Sequence, residues 1–195
     1  MYIDLTLPIT PDIAISSQSL SKNLLGHIGT HFDVMDKIFP LEYTCLDGVV
    51  FDVSHVVDRD IDIQDIDLHS IHDNMFVAFY TGFIQKVSYA SDGYFSTHPQ
   101  LSYRLIEELL SRKISIIGID CSGIRRGKEH TPTDQRCADC GVFVVENLLN
   151  LDQVISHSCT FVAHTYPMNI TNLTGLPCRV VAQIPPTKLS TTSEN

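Results

Sequence analysis

The sequence predicts an α/β fold, and three observations carry that reading. Short β-rich runs alternate with a few helical segments. Several of the runs are continuously apolar, as strands covered on both faces are. One segment, Gln100 to Arg112, places Leu101, Leu105, Ile106, Leu109 and Leu110 at helical spacing. No repeat or linker interrupts the pattern, so residues 1–184 are expected to form one domain. Residues 185–195, rich in Pro, Thr and Ser, are expected to form a flexible C-terminal tail.

In chain order, the predicted strands are Tyr2 to Leu5, a segment around Ile28 to Asp33, Val49 to Val53, Met75 to Tyr80, Ile114 to Asp120, Val142 to Glu146, Thr160 to Ala163 and Arg179 to Ile184. The helix at Gln100 to Arg112 has Ser96 or Thr97 as a candidate cap before Pro99. Shorter helices are expected at Asp65 to His72, at Thr133 to Asp139 and from Leu148 or Asn150 to Ile155. His69 and His72 lie i, i+3 with no carboxylate or Cys at ligand spacing, which reads as helix surface.

A chain of 195 residues with 13 Lys+Arg, 23 Asp+Glu and a formal net charge of −10 is an acidic, ordinary globular composition. At this length folding buries about 70% of the unfolded chain's surface, so a core needs no staple and a metal would be functional rather than structural. Nucleic acid is excluded as a partner, because only Arg125, Arg126 and Lys128 cluster as cations. A bilayer is excluded too, since apolar stretches such as Met75 to Phe83 fall short of the roughly 20 residues a spanning helix needs. With no basic segment leading into an apolar one at the N-terminus, the expected location is the cytoplasm. The six Cys then read as reduced side chains, with Cys137 and Cys140 as packing neighbours one helical turn apart.

The chemistry concentrates in His27, Ile28, Gly29, Thr30, His31, Phe32 and Asp33. In an extended segment His27, Gly29, His31 and Asp33 would share one face, since side chains alternate. Two imidazoles and a carboxylate there form an N,N,O half-site suited to Zn, Mn or Fe with positions left for water. Gly29 would leave room for a metal or substrate. A surface strand with polar residues outward is the alternative. Glu146 ends the apolar run Val142 to Val145, where it would either bind a cation or reach solvent. His130 and Asp134 lie i, i+4 near a helix start, with Thr131 or Thr133 as a cap.

These residues resemble the metal-dependent cyclase-like hydrolases, which include bacterial kynurenine formamidases (arylformamidases) and isatin hydrolases and carry the signature H-x-G-T-H-x-D-x-P-x-H. His27, Gly29, Thr30, His31 and Asp33 match it. The opening Tyr2 to Ile9, His98-Pro99 before the amphipathic helix, Val144 to Leu148 and Gly175 to Arg179 are similar to further family segments in the same order. The resemblance implies a swivelling β/β/α fold of mixed sheets with a few helices. It implies His27, His31 and Asp33 as ligands of a first divalent metal, Zn or Mn, and Asp33 and Glu146 as bridges to a second. It also implies a homodimer or higher homo-oligomer, with Phe32, Lys37 and Arg179 as expected substrate contacts. Three departures favour one ion over two. The family's Pro falls on Met35 and its final His on Lys37, and a further family His falls on Asp134, which would still offer an oxygen.

The expected activity is hydrolysis of an activated amide: N-formyl-L-kynurenine and water to L-kynurenine and formate, or opening of an isatin-like cyclic amide. A cation on His27, His31 and Asp33 would lower the pKa of a bound water toward about 7, and Glu146 would serve as ligand or proton shuttle. Lys37 would act as a base only if its pKa, ordinarily about 10.4, fell by several units. As a cation it would hold an oxyanion or a substrate carboxylate. A metal- or small-molecule-binding protein with weakened turnover is the rival expectation.

Overall fold

The computed structural model describes residues 1–9 and 25–185. The eight strands are β1 (Tyr2–Asp4), β2 (His31–Asp33), β3 (Cys45–Asp52), β4 (Phe76–Tyr80), β5 (Ile116–Ile119), β6 (Phe143–Glu146), β7 (Thr160–Pro167) and β8 (Gly175–Gln183). They follow the order β1-β8-β2-β6-β5-β4-β3-β7, and β7 pairs back onto β8. The strands from β8 round to β7 therefore close a ring of seven, with β1 attached outside the count along β8. Pairing is mixed: β3, β4, β5 and β6 run parallel, while β2, β7 and β8 join antiparallel. The expected α/β fold with mixed pairing is observed, gathered into one sheet.

Alternation along the strands divides the interior into two cores. Val77 and Phe79 of β4 pack outward with Ile117 and Ile119 of β5. Phe76, Ala78 and Ile116 point the other way, into the ring, against Phe32, Phe143, Phe161 and Val180. This is why β4 and β5 read as continuous apolar runs. The outer core is covered by the helices α1 (Phe83–Lys86), α2 (Tyr94–Thr97) and α3 (Tyr103–Ser111). On α3, Leu105, Ile106, Leu109 and Leu110 are the buried stripe, as its periodicity requires. Its cap is Ser102, not Ser96 or Thr97, because Pro99 to Leu101 run extended and Leu101 bridges to Ile61.

Two further helices, α4 (His130–Asp139) and α5 (Leu151–His157), follow β5 and β6. Thr131 and Thr133 lie inside α4 rather than capping it, since a 3-10 turn at Gly127–Glu129 leads into the helix. The expected helix at Asp65 to His72 is instead two 3-10 turns, Ile63–Asp65 and Leu68–Ser70. Asp62 and Asp67 each cap a new turn, and Ile66 between them is extended, so no continuous helix forms. The six Cys are free, with Cys137 buried against the core and Cys140 exposed. The expected tail at 185–195 lies outside the described residues except for Pro185. No described helix is long and apolar enough to cross a membrane.

Ser102 ties α3 to the preceding turn, accepting from the Leu105 amide at 3.0 Å and donating to Asp62 at 2.7 Å. Ser102→Ala should lower the unfolding free energy by about 1 kcal/mol, read as a shifted urea midpoint at constant m. An unshifted midpoint would mean that packing alone starts the helix.

Candidate metal centre

Parallel sheets place their functional groups at the carboxyl ends of strands. Here Glu146 is the last residue of β6, and Gly123 lies just beyond β5. β2 runs antiparallel between β6 and β8, with His31 opposite Glu146, Phe32 opposite Val145 and Asp33 opposite Val144. Directly opposed residues share a face. That register brings His31 Nε2 to 3.6 Å from Glu146 Oε2 and sends Phe32 to the other side.

His27 reaches the same cluster by another route than the extended segment expected. Only His31–Asp33 are strand, and Gly29 turns the chain with φ +64°. The turn carries His27 back over β2, placing its Nδ1 2.9 Å from Asp33 Oδ1 and its ring edge-on to His31 at 4.8 Å. Gly29 is thus a turn residue, and what it offers the site is its carbonyl rather than empty room. Gly175 permits the close approach of His27, because a Cβ there would lie 2.7 Å from the ring and 2.7 Å from the Gly26 carbonyl.

Helix α4 supplies the remaining wall. His130 and Asp134 are one turn apart, and His130 Nε2 lies 3.2 Å from Asp134 Oδ2 and 3.5 Å from Glu146 Oε1. Two ligand groups result, His27 with His31 and Asp33, and Asp33 with His130, Asp134 and Glu146, so Asp33 belongs to both. His130, which the family signature does not mark, is the donor that the sequence motif misses. Its spacing to Asp134 was the visible signal. Gly123, at φ +103°, faces the second group, and a Cβ there would lie 2.5 Å from His130 Nδ1 and 2.9 Å from Glu146 Oε1.

Each imidazole is anchored at one nitrogen and turns the other to the carboxylates. His31 Nδ1 donates to the Gly29 carbonyl at 2.9 Å, and His130 Nδ1 donates to the Arg125 carbonyl at 3.2 Å. His27 Nε2 meets the Thr174 hydroxyl at 2.9 Å. Anchored imidazoles of this kind are the usual support of metal-ligating His.

The carboxylates are the more telling feature. Asp33, Asp134 and Glu146 are 1–2% exposed, yet Asp33 Oδ2, both oxygens of Asp134 and Glu146 Oε1 have no hydrogen-bond partner among the described residues. The contacts of His130 with the two acids are approaches without hydrogen-bond direction. Burial and the Asp33 and Asp134 charges push the Glu146 carboxyl well up, and burial and Asp33 do the same to Asp134. Asp33 is equally buried, but the His27 hydrogen bond and the His31 ring hold it down at about 2. Burial lowers His31, favouring the neutral ring. Unpartnered buried oxygens gathered with imidazole nitrogens are a donor set that fits a divalent cation such as Zn, Mn or Fe.

The other expected site residues fall elsewhere. Phe32 has no exposure and stacks with Phe39 at 4.7 Å in the inner core, so it cannot touch substrate. Arg179 is exposed and holds Asp4 at 2.6 Å, which leaves it on the outer face of β8. Lys37 lies 2.7 Å from Asp139 and 2.9 Å from Asp36, and hydrogen bonding to both raises its pKa. A cation held so is no general base. It does line a groove of about 870 Å³ with Met35, Phe39, Tyr166, Met168 and Thr174.

Residues 3–125 match the Cyclase family. That match ends before Asp134 and Glu146, whose placement rests on the geometry above. No curated protein matches the chain. Among solved structures, isatin hydrolase A from Ralstonia solanacearum superposes with a TM-score of 0.74 at 18% identity, over 93% of this chain and 91% of that one. An isatin hydrolase bound to the product analogue thioisatinate gives 0.72 at 19%, over 95% and 92%. A potential metal-dependent hydrolase with cyclase activity gives 0.72 at 22%, over 93% and 96%. These likenesses extend the shared fold over nearly the whole chain, and the family match covers more than half of it, so the chain belongs to the Cyclase family.

Proposed function

We propose that the chain is a metal-dependent hydrolase of an activated aromatic amide, with N-formyl-L-kynurenine as the first substrate to test and an isatin-like cyclic amide as the second. The observation that carries this reading is the set of unpartnered carboxylate oxygens on Asp33, Asp134 and Glu146, gathered with three imidazoles in one cluster. A divalent cation held there supplies a Lewis acid and an acidified water. His27, His31 and Asp33 would hold one such ion, and Asp33, His130, Asp134 and Glu146 offer the donors for a second. Two positions suit the charge count, because three carboxylates, once ionised around bound metal, carry more negative charge than one divalent ion cancels.

The chain's own groups divide the remaining work. Glu146, whose Oε1 has no partner among the described residues, would help hold the second ion or, with one ion bound, would carry the proton of the attacking water to the leaving nitrogen. Thr174, whose hydroxyl touches His27, also lines the groove, so an aromatic ring lying among Met35, Phe39 and Met168 would lie beside the cluster. Lys37 lines that groove with its charge already paired by Asp36 and Asp139. The support of the structures described as isatin hydrolases is that they share this fold. The clamping of Lys37, at the position of a family His, favours a second reading in which a binding protein has weakened turnover. Failure of the metal-loaded chain to hydrolyse a panel of formamides and cyclic amides would establish that reading.

In metal-replete protein, His31→Ala should lower hydrolysis of N-formylkynurenine by about 100-fold or more, the scale of several kcal/mol of lost charge stabilisation. Turnover equal to the parent's would remove the site assignment. Elemental analysis of the loaded parent should find two divalent ions per chain, and a ratio of one would reduce His130, Asp134 and Glu146 to proton-handling groups. Gly123→Ala should displace His130 and lose the second ion while keeping the first. Gly127→Ala, at φ +57° with open space around it, should cost about 1 kcal/mol of stability and leave the stoichiometry alone.

A further inference from the structure

Asn147 follows Glu146 directly and is 1% exposed, in the left-handed region at φ +58°, which Asn tolerates better than most residues. All four of its polar groups are engaged. Its amide N–H donates to the Cys121 carbonyl at 3.0 Å, and its carbonyl accepts from the Thr30 hydroxyl at 2.8 Å. In the side chain, Nδ2 donates to the Gly29 carbonyl at 2.8 Å, and Oδ1 accepts from the Tyr94 hydroxyl at 2.7 Å. The orientation of this carboxamide is forced. A carbonyl oxygen only accepts, so the group facing Gly29 must be the NH2, and the oxygen is left for Tyr94.

The Gly29 carbonyl is the same oxygen that receives His31 Nδ1 at 2.9 Å. It is therefore pinned from one side by Asn147 and pins the imidazole on the other. Because that oxygen cannot donate, the proton of neutral His31 resides on Nδ1 and the lone pair on Nε2 faces Asp33 and Glu146, at 3.8 and 3.6 Å. We infer that Asn147, braced by Tyr94, is a positioning residue that fixes the tautomer and aim of His31 and so sets the affinity of the cluster for a divalent cation without touching it. The inference rests on reading the cluster as a metal centre. The bracing is continuous: Tyr94 is fully buried and stacks edge-on against Tyr89, whose hydroxyl in turn accepts from the Gly29 amide at 2.9 Å. Residue 147 thus links the end of β6, which delivers Glu146, to the turn that delivers His27 and His31.

Partners of this kind change metal affinity by about 10- to 100-fold when removed. The test uses the full-length chain, freed of metal and titrated calorimetrically with Mn²⁺ or Zn²⁺, beside ¹⁵N spectra of the labelled imidazoles in the metal-free protein. Asn147→Asp keeps shape and backbone tolerance but offers no donor to Gly29, and Asn147→Gly keeps the backbone and removes the side chain. Both should bind the cation about 10- to 100-fold more weakly and show His31 as a mixture of tautomers, where the parent shows Nδ1–H alone. Tyr94→Phe, which removes one hydroxyl from a buried ring, should weaken binding about 3-fold and carries the test if the Asn147 variants do not fold. Folded Asn147 variants with parental affinity and a single parental tautomer would overturn the inference, as would an Nε2–H tautomer in the parent. A parent that binds neither cation would instead overturn the metal reading, and the spectra would still decide the role of Asn147.

Discussion

Three carboxylates buried within one cluster are the constraint on which the rest of this structure depends. Two like charges about 4 Å apart repel by about 4 kcal/mol even at an effective dielectric of 20, and desolvation adds to that cost. Asp33, Asp134 and Glu146 therefore cannot all be ionised and alone. Either a proton resides among them, as the raised Asp134 and Glu146 carboxyls show, or a cation does. Native proteins pair or hydrogen-bond buried acids, whereas four oxygens here are left open, while the other buried acid among the described residues, Asp120, accepts from the Thr81 amide, the Thr81 hydroxyl and the Gly82 amide. The contrast within one molecule separates an acid satisfied by the fold from acids whose oxygens the fold leaves open.

The closed ring of strands is what makes such a cluster buildable. β2 is only three residues long, but it is hydrogen-bonded on both sides, by β6 and β8, and its register leaves no freedom in which residue faces which. A shift of one residue would exchange His31 and Asp33 for Phe32. Phe32 on the inner face, packed with Phe39, opposes that shift by anchoring the alternate set in the apolar interior. Core packing and metal geometry are thus two faces of one short strand, and the same alternation explains why the substrate contact expected at Phe32 is not available.

Much of this was legible in the sequence, for physical reasons that differ by residue. The His27 to Asp33 segment stands out because imidazole and carboxylate recur at short spacing beside Gly and Thr. Glu146 stands out because an acid at the end of Val142 to Val145 contradicts its surroundings. The grouping of His27 with Asp33 followed from the motif, but the extended geometry assumed for it did not hold, since the positive φ of Gly29 is not encoded in alternation. Gly123 was silent, because the side chains that exclude a Cβ there come from α4 and β6, distant in sequence. Arg179 could not be judged at all without knowing that β1 pairs beside it and brings Asp4 to its guanidinium.

The Lys at position 37 acquires a physical meaning from the same logic. An ammonium at the cluster would compete with a divalent cation for the carboxylates, so the Lys37 charge must be kept away from them. Asp36 and Asp139 do so, and Asp139 is the last residue of α4. Gln135 of that helix also donates to Asp36 at 2.8 Å. The loop after β2 is therefore tied to the helix that carries His130 and Asp134. Exposed pairs contribute little stability, and the helix owes its seat to the buried Thr133, Cys137 and Ala138. What the polar ties add is registry. They relate the first ligand group, on β2, to the second, on α4, along the one edge where no strand pairing does so. Lys37 thus joins the loop after β2 to the helix that brings His130 and Asp134 to the same carboxylates.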